Sequence, residues 1–583
     1  MNGAELLARM LAAYEVDYVF GVPGDTNVSF YEALDKLGGA VQHVLTRDER
    51  HAGYMADAYA RITNRPGVVE VPSGGGPMYA LPAVAEAHES AVPVILLSFD
   101  MPLLGEGRGV ITQFADLVRL LEPVTKASIP IKRAVKIPEI VRRAFRIATS
   151  GRPGAVNIVI PEDVLHEEVD LRQVSLHAEN ACKTFPAYAP RAGHNDVLEL
   201  QRMLAEARRP LIVAGGGVNR ARAGEALTEL AERLRIPVVT TITGQGSIPD
   251  PHELSIGIVG DNGFHPHANR AMEEADLLVY LGSRMGSVVT IGGTFPPPRQ
   301  DRRIVQVEIG PELLGNAGRN TLNIHADARA LLEQLSELPP PRAMQTDPKW
   351  VATLNDWRLK FWEEANRQLQ AARRAGGALR PLVIMEALNR RLKEPHVLLA
   401  DPGTSTVYLN RFIRLEHPQS RVIIPRAYGA LGYALPAVVG SWFARPGIRP
   451  IGLFGDGSFG MSVGELETIV RLDVPAILLH FNNSSFGWIK ALQKSRRLEH
   501  TLSVDFSQQN AARIAEAFGL RAMRVQTVQE VEAAFDAAFA HRGPVFLDLV
   551  VESVADVIPP VYKWLHDAGM SPLEVDGRAL TMS

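Results

Sequence analysis

Pro450-Ile451-Gly452-Leu453-Phe454 is a short apolar run followed by Gly455-Asp456-Gly457-Ser458. A helical pattern over 464–472 comes next. A second apolar run, Ala476-Ile477-Leu478-Leu479-His480-Phe481, then ends in Asn482-Asn483-Ser484-Ser485. Strand, loop, helix, strand, loop is one βαβ unit. Such crossovers are right-handed, and ligands of open parallel sheets gather beyond the carboxyl ends of the strands. Asp456 and Asn483 both fall just past such ends, 27 positions apart, enough for one helix and one strand. A carboxylate oxygen, an amide oxygen and a loop carbonyl are hard ligands. Mg²⁺ takes a few of these and completes its octahedron with phosphate oxygens and water. Gly455 and Gly457 let the backbone come close to a phosphate, with the Ser458 hydroxyl beside them.

Working outward, the same alternation fills the chain. Strands are expected over 18–21, 68–71, 93–98 and 157–160, with helices such as 51–61 and 81–90 between them. A Pro/Ala/Gly-rich linker over 183–195 separates these from strands at 210–214, 237–241, 277–281 and 304–308. Pro339-Pro340-Pro341 opens a second linker, 339–360, and strands follow at 397–400, 422–424, 451–454, 476–481 and 545–550. The fold class is α/β, with three parallel-sheet domains over 1–182, 196–338 and 361–552. The tail 553–583 has little periodicity and reads as a lid or a frayed end. No short repeat is present.

Composition narrows the partners. The 583 residues carry 61 Lys+Arg against 65 Asp+Glu, a net charge of −4 without long single-sign runs, so nucleic acid and anionic membranes are not expected partners. No stretch of 18 apolar residues suggests a membrane span. Residues 1–14 read as an amphipathic helix rather than a signal peptide. One cysteine, Cys182, excludes an internal disulfide and fits a reducing, cytoplasmic setting.

The 450–485 unit resembles the cofactor motif of thiamine-diphosphate enzymes, which runs from Gly-Asp-Gly to Asn-Asn. By that resemblance Asp456 and Asn483 are side-chain Mg²⁺ ligands and Ser485 gives its backbone carbonyl. Asp401-Pro402-Gly403-Thr404-Ser405-Thr406 resembles the loop that binds the diphosphate, through Gly403, Thr404 and Ser405. Tyr428-Gly429-Ala430-Leu431-Gly432 resembles the loop under the aminopyrimidine, with Gly429 at the turn and Leu431 as the residue that bends the cofactor. The stretch from Thr46-Arg47-Asp48-Glu49-Arg50-His51 to Arg61 resembles the matching helix of acetolactate synthase and its relatives, and Glu49 falls on the glutamate that activates the cofactor from near N1′. Residues 67–76, with Ser73 and Gly75, and Pro23 in the loop 21–27 fall beside the cofactor. Gln113, ahead of Pro123-Val124-Thr125-Lys126, falls on an active-site glutamine. The resemblance spans about 15–550. It implies pyrimidine-binding, central and diphosphate-binding domains and a homodimer or dimer of dimers. It also implies that Glu49 of one copy meets the cofactor held by Asp456 of the other.

The reaction is less legible. The resemblance implies a small-molecule 2-oxo acid, decarboxylated and then transferred to a carbonyl acceptor or protonated. The acetolactate synthase branch has His where Asp48 stands, Phe at Thr112, Trp at Leu492 and Met at Trp488. The decarboxylase branch offers Asp25 as a general acid/base, but its adjacent His-His pair is absent. As a turn residue after Pro-Gly, Asp25 is equally accounted for. Trp488 and Lys490 are candidates for the substrate pocket. Gly215-Gly216-Gly217 and Arg284 allow FAD or ADP in the central domain, or nothing. A non-catalytic paralogue would not need Glu49, and an NAD- or FAD-linked oxidoreductase would leave the Asp456–Asn483 pair unexplained.

Overall fold

The computed structural model describes residues 1–105, 115–316, 318, 320–341, 343–496, 500–553, 558–567 and 569. Among these residues the strands form three six-stranded parallel sheets. Across the first lie Gln42–Leu45, Tyr18–Gly21, Gly67–Val71, Val94–Asp100, Val156–Pro161 and Ala127–Pro130. Across the second lie Leu322–His325, Arg303–Glu308, Leu277–Leu281, Pro210–Ala214, Val238–Thr240 and Ser255–Ile258. Across the third lie Arg421–Ile423, Val397–Ala400, Pro450–Gly455, Ile477–Asn482, Val545–Val550 and Arg521–Val525. Numbered along the chain within each sheet, the first and third share the order 2-1-3-4-6-5, while the second runs 6-5-4-1-2-3.

Inner strands such as Gly67–Val71 and Val156–Pro161 are buried at every residue. Helices cover both faces of such sheets, so the strands read as unbroken apolar runs. Helix Gly3–Ala13 buries Leu6, Leu7, Met10 and Leu11 in the core of the first sheet. There Tyr14 stacks on Phe145 at 4.0 Å between ring centroids. The second half of the segment read as a linker, 339–360, is helical. Helix Trp350–Ala375 runs 26 residues, and Trp350 Nε1 donates to the Pro210 carbonyl at 3.0 Å. Trp350 and Leu354 therefore complete the central core, and the proline run sets only where the chain leaves it.

The chain divides into two compact units. One holds 1–188, 425–452 and 460–476, and the other holds 189–424, 453–459 and 477–583. In the first, helix Glu49–Thr63 packs closely on helix Ala434–Ala444, where Gly440 is required because a Cβ would come within 2.0 Å of the Met55 carbonyl oxygen. Beside it the Tyr433 hydroxyl donates to buried Asp57 at 2.6 Å, and Arg61 Nε donates to the same carboxylate oxygen at 2.7 Å. In the second unit part of the tail is docked. Gly263 N donates to the Pro560 carbonyl at 2.8 Å, Tyr562 N donates to the Asp261 carbonyl at 2.8 Å, and helix Tyr562–Asp567 follows. Among the described residues no helix is long and apolar enough to cross a membrane.

Candidate active site

Strand Pro450–Gly455 ends in helix Asp456–Ser462, and strand Ile477–Asn482 ends in the loop 483–485. The parallel sheet brings these two carboxyl ends side by side. Asn483 N donates to Asp456 Oδ2 at 2.9 Å, and the Ser485 hydroxyl donates to Asn483 Oδ1 at 2.8 Å. Between them Ser484 has φ +54°, a left-handed conformation that a non-glycine residue rarely adopts. Gly457 leaves room for Phe486, whose ring a Cβ would meet at 2.4 Å. Burial pushes the Asp456 carboxyl up, against His480 and the N–H groups of Asn483 and Ser485, which favour its charge. A desolvated carboxylate beside an amide oxygen and a loop carbonyl suits a hard divalent cation, so the residues present fit Mg²⁺.

Behind Asp456 stands a buried chain that sequence reasoning missed. His480 Nε2 lies 3.6 Å from Asp456 Oδ1, and its Nδ1 lies 3.1 Å from Asp548 Oδ1. Asp548 also accepts from Asn482 Nδ2 at 2.9 Å and from Arg524 at 2.7 Å. Burial works against the Asp548 charge. Hydrogen bonds from His480 and Asn482, with the Arg524 charge, outweigh it and hold the carboxyl below the usual range. The available signal was a polar residue inside each of two apolar strands, His480 in one and Asp548 in the other, neighbours in register.

Strand Val397–Ala400 leads to Gly403 and helix Thr404–Phe412. Gly403 at the N-cap has no side chain to cap that helix, and the N–H groups of a helix start suit an anion such as a diphosphate. Ser405 is buried in the first turn, and the Thr406 hydroxyl bonds back to the Asp401 carbonyl. In the first unit, the N–H groups of Ala427 and Tyr428 donate to buried Glu86 at 3.0 and 2.8 Å. Gly429 and Gly432 have positive φ, and half-buried Leu431 lies between them. A Cβ on Gly432 would come 3.9 Å from His51 Nε2, which sets this loop beside the helix that starts at Glu49.

Glu49 is the first residue of that helix, and Asp48 caps it by accepting from Arg50 N at 2.8 Å. Glu465, fully buried, fixes the entry by accepting from Arg47 N at 2.8 Å and lying 3.0 Å from His51 Nδ1. Burial pushes the half-buried Glu49 carboxyl up. Its own N–H opposes this, and the charges of Asp48 and Glu70 add to it. A surface glutamate at a helix start would be held down instead.

Asp25 is exposed at the start of the 3₁₀ turn Asp25–Asn27, with Pro23 before it. Ser73 N donates to the Thr26 hydroxyl at 3.0 Å, which joins this loop to the turn ahead of Gly75. Trp488, half-buried on helix Gly487–Ser495 after the loop 483–485, packs on Trp564 of the docked tail at 4.5 Å between ring centroids. Lys490 already meets a carboxylate of the chain itself, Asp505 at 2.6 Å. Gln113 lies outside the described residues. In the central sheet the Gly215–Gly217 triplet packs on Gly282. A Cβ on Gly215 would come 2.3 Å from its carbonyl oxygen, and one on Gly217 would come 2.6 Å from its Cα. Close backbone packing therefore accounts for Gly215 and Gly217.

Comparison with known proteins agrees with this geometry. Family models match over three segments. Residues 1–120 match the thiamine pyrophosphate enzyme N-terminal TPP binding domain, 197–335 the central domain and 401–549 the C-terminal TPP binding domain. Acetolactate synthase isozyme 3 large subunit of Escherichia coli (strain K12) is 30% identical over 572 residues, 96% of this chain and 96% of that protein. Acetolactate synthase of Mycobacterium bovis is 30% identical over 578 residues, 96% and 90% of the two chains. Acetolactate synthase large subunit of Haemophilus influenzae is 29% identical over 580 residues, 96% of each. With its three parallel-sheet domains each matched in turn, the chain belongs to the thiamine pyrophosphate enzyme family as an acetolactate synthase-like, thiamine-diphosphate-dependent enzyme that makes or breaks carbon–carbon bonds.

Proposed function

We propose that this enzyme decarboxylates a small 2-oxo acid and transfers the remaining fragment to a carbonyl acceptor, with Mg²⁺ as its metal. The observation that carries the reading is the closure of two strand ends on each other, Asp456 to Asn483 at 2.9 Å and Asn483 to Ser485 at 2.8 Å. Asp456, Asn483 and the Ser485 carbonyl would hold Mg²⁺, and the uncapped helix start at Gly403–Ser405 would hold the diphosphate. Thiamine diphosphate, when bound, would supply the carbon nucleophile and the electron sink that decarboxylation of the acid needs. Glu49 holds a proton near the pyrimidine ring, Leu431 shapes the floor beneath it, and Asp25 is the acid/base group at the loop mouth. No flavin step is included, because packing on Gly282 accounts for Gly215 and Gly217 without a ligand. The single cysteine, Cys182, is free and buried, which supports a cytoplasmic setting. Exposed Val28, Met78, Tyr79, Tyr428 and Met461 on the first unit support coverage by a second copy in a homodimer or dimer of dimers.

The test is a panel of 2-oxo acids on protein reconstituted with thiamine diphosphate and Mg²⁺, with CO₂ and organic products read separately. CO₂ release with a ligated hydroxy-ketone is the expected result. CO₂ with an aldehyde would make the enzyme a simple decarboxylase, and no CO₂ from any acid would overturn the reading.

Trp488 sets the expected substrate size. An indole at the start of the helix after the metal loop, backed by Trp564, is a flat apolar wall that removes volume. Trp488→Met keeps most of the packing and opens the wall. It should leave the protein folded and shift kcat/KM ratios toward bulkier 2-oxo acids by about tenfold, within the roughly 1–3 kcal/mol that such a pocket contact supplies. Unchanged ratios with a lower Tm would make Trp488 a packing residue.

A further inference from the structure

Glu70 stands in the middle of a strand, Gly67–Val71, that is buried at every residue. An apolar residue would complete the strand, and a carboxylate there must be fully hydrogen-bonded to be tolerated. It is. Glu70 Oε1 accepts from the Tyr31 hydroxyl at 2.5 Å and lies 3.1 Å from His43 Nε2, and Oε2 accepts from Asn27 Nδ2 at 2.5 Å. The strand already pairs with both neighbours through its backbone, and of the three partners only His43, on the edge strand Gln42–Leu45, lies in the sheet. Through Asn27, in the turn Asp25–Asn27, the cluster also reaches the loops. Asn27, fully buried, turns its other amide atom outward, and Oδ1 accepts from Gly24 N at 2.8 Å. Gly21 faces Glu70 in register, and a Cβ there would come 2.2 Å from Glu70 Oε1. The Gly21 carbonyl accepts from Thr46 N at 3.0 Å, and the Thr46 hydroxyl donates to the Asp48 carbonyl at 3.1 Å. The loops carrying Asp25, Ser73 and Glu49 thus leave the sheet around one buried carboxylate.

We propose that Glu70 is a positioning residue of the active site, orienting Asn27 so that the Gly24–Asp25 peptide, and with it Asp25, is fixed at the mouth of the site. The inference rests on the functional reading above for the role of Asp25, while the link from Glu70 to Gly24 is independent of it. The Glu70 charge is also among those that add to burial in raising Glu49.

Two variants test the link. Glu70→Gln keeps the volume and removes the charge, and Asn27→Ala cuts the connection while leaving Glu70 with Tyr31 and His43. In protein without cofactor, deuterium exchange at the Gly24 amide should speed up by about tenfold or more in both. Tyr31→Phe, which removes a donor to Glu70 without touching Asn27, should leave that exchange near the wild-type rate. In reconstituted enzyme, kcat per folded molecule should fall by about tenfold or more in the first two variants, with KM within about threefold, as misplacement of a reacting group predicts. Unchanged Gly24 exchange in folded Glu70→Gln and Asn27→Ala, or an unchanged kcat, would overturn the proposal. If Glu70→Gln does not fold, Asn27→Ala decides it alone. If wild-type protein turns over no 2-oxo acid, the functional reading fails, and Gly24 exchange still decides whether Glu70 holds the loop.

Discussion

Glu49→Gln is expected to slow proton exchange at C2 of bound thiamine diphosphate by roughly 10²-fold or more, the scale of a positioned acid–base group. Cofactor affinity should change little, because Glu49 lies at the pyrimidine end of the proposed site and contributes nothing to the diphosphate. The physical basis is the environment of its carboxyl, pushed up by burial and by the charges of Asp48 and Glu70 although it starts a helix. A glutamine in its place keeps the shape and removes the acid–base group. NMR of C2 exchange at the wild-type rate in Glu49→Gln would return Glu49 to the role of a helix-start residue.

Asp456→Ala should remove Mg²⁺-dependent cofactor binding, with affinity falling by at least about 10²-fold. The fold should survive, because the variant deletes a carboxyl whose charge burial already opposes. The measurement is the shift in thermal stability on adding thiamine diphosphate with Mg²⁺. A ligand at a hundredfold excess over its Kd stabilises the native state by about 2.7 kcal/mol, and the variant should lose most of that gain. Equal stabilisation of both proteins, or unchanged affinity by calorimetry, would overturn the metal assignment.

The strands that sequence reading passed over are Gln42–Leu45, Ala127–Pro130, Ser255–Ile258, Leu322–His325 and Arg521–Val525, and all five lie at sheet edges. Helices cover an inner strand on both faces, so Val68, Val69 and Val71 betray it at once. An edge strand meets solvent, and Gln42–Leu45 buries only Val44. Its apolar signal is therefore too thin to separate from a loop. The candidate site divides in the same way. Asp456 and Asn483 were legible because each follows an apolar run, and Glu49 because of a motif along one helix. His480, Asp548 and Glu70 are long-range. Each reads as a stray polar residue in a strand until the register of the sheet sets it beside its partner.

The first and third sheets share one strand order, 2-1-3-4-6-5, which the central sheet does not follow. Hundreds of orders are open, on the order of the permutations of six parallel strands, and the handedness of the crossovers removes only some of them. A repeated order in two sheets of one chain is the arrangement that duplication of one segment would produce. The two sheets differ in what stands at their matching strands. The third strand of the first sheet carries Glu70 and leads to Ser73, and the third strand of the last leads directly to Asp456. Matching strands of the two sheets thus carry different chemistry, a glutamate within the strand in one and an aspartate just past its end in the other, so segments at matching places can be exchanged experimentally to ask how far the two sheets are interchangeable.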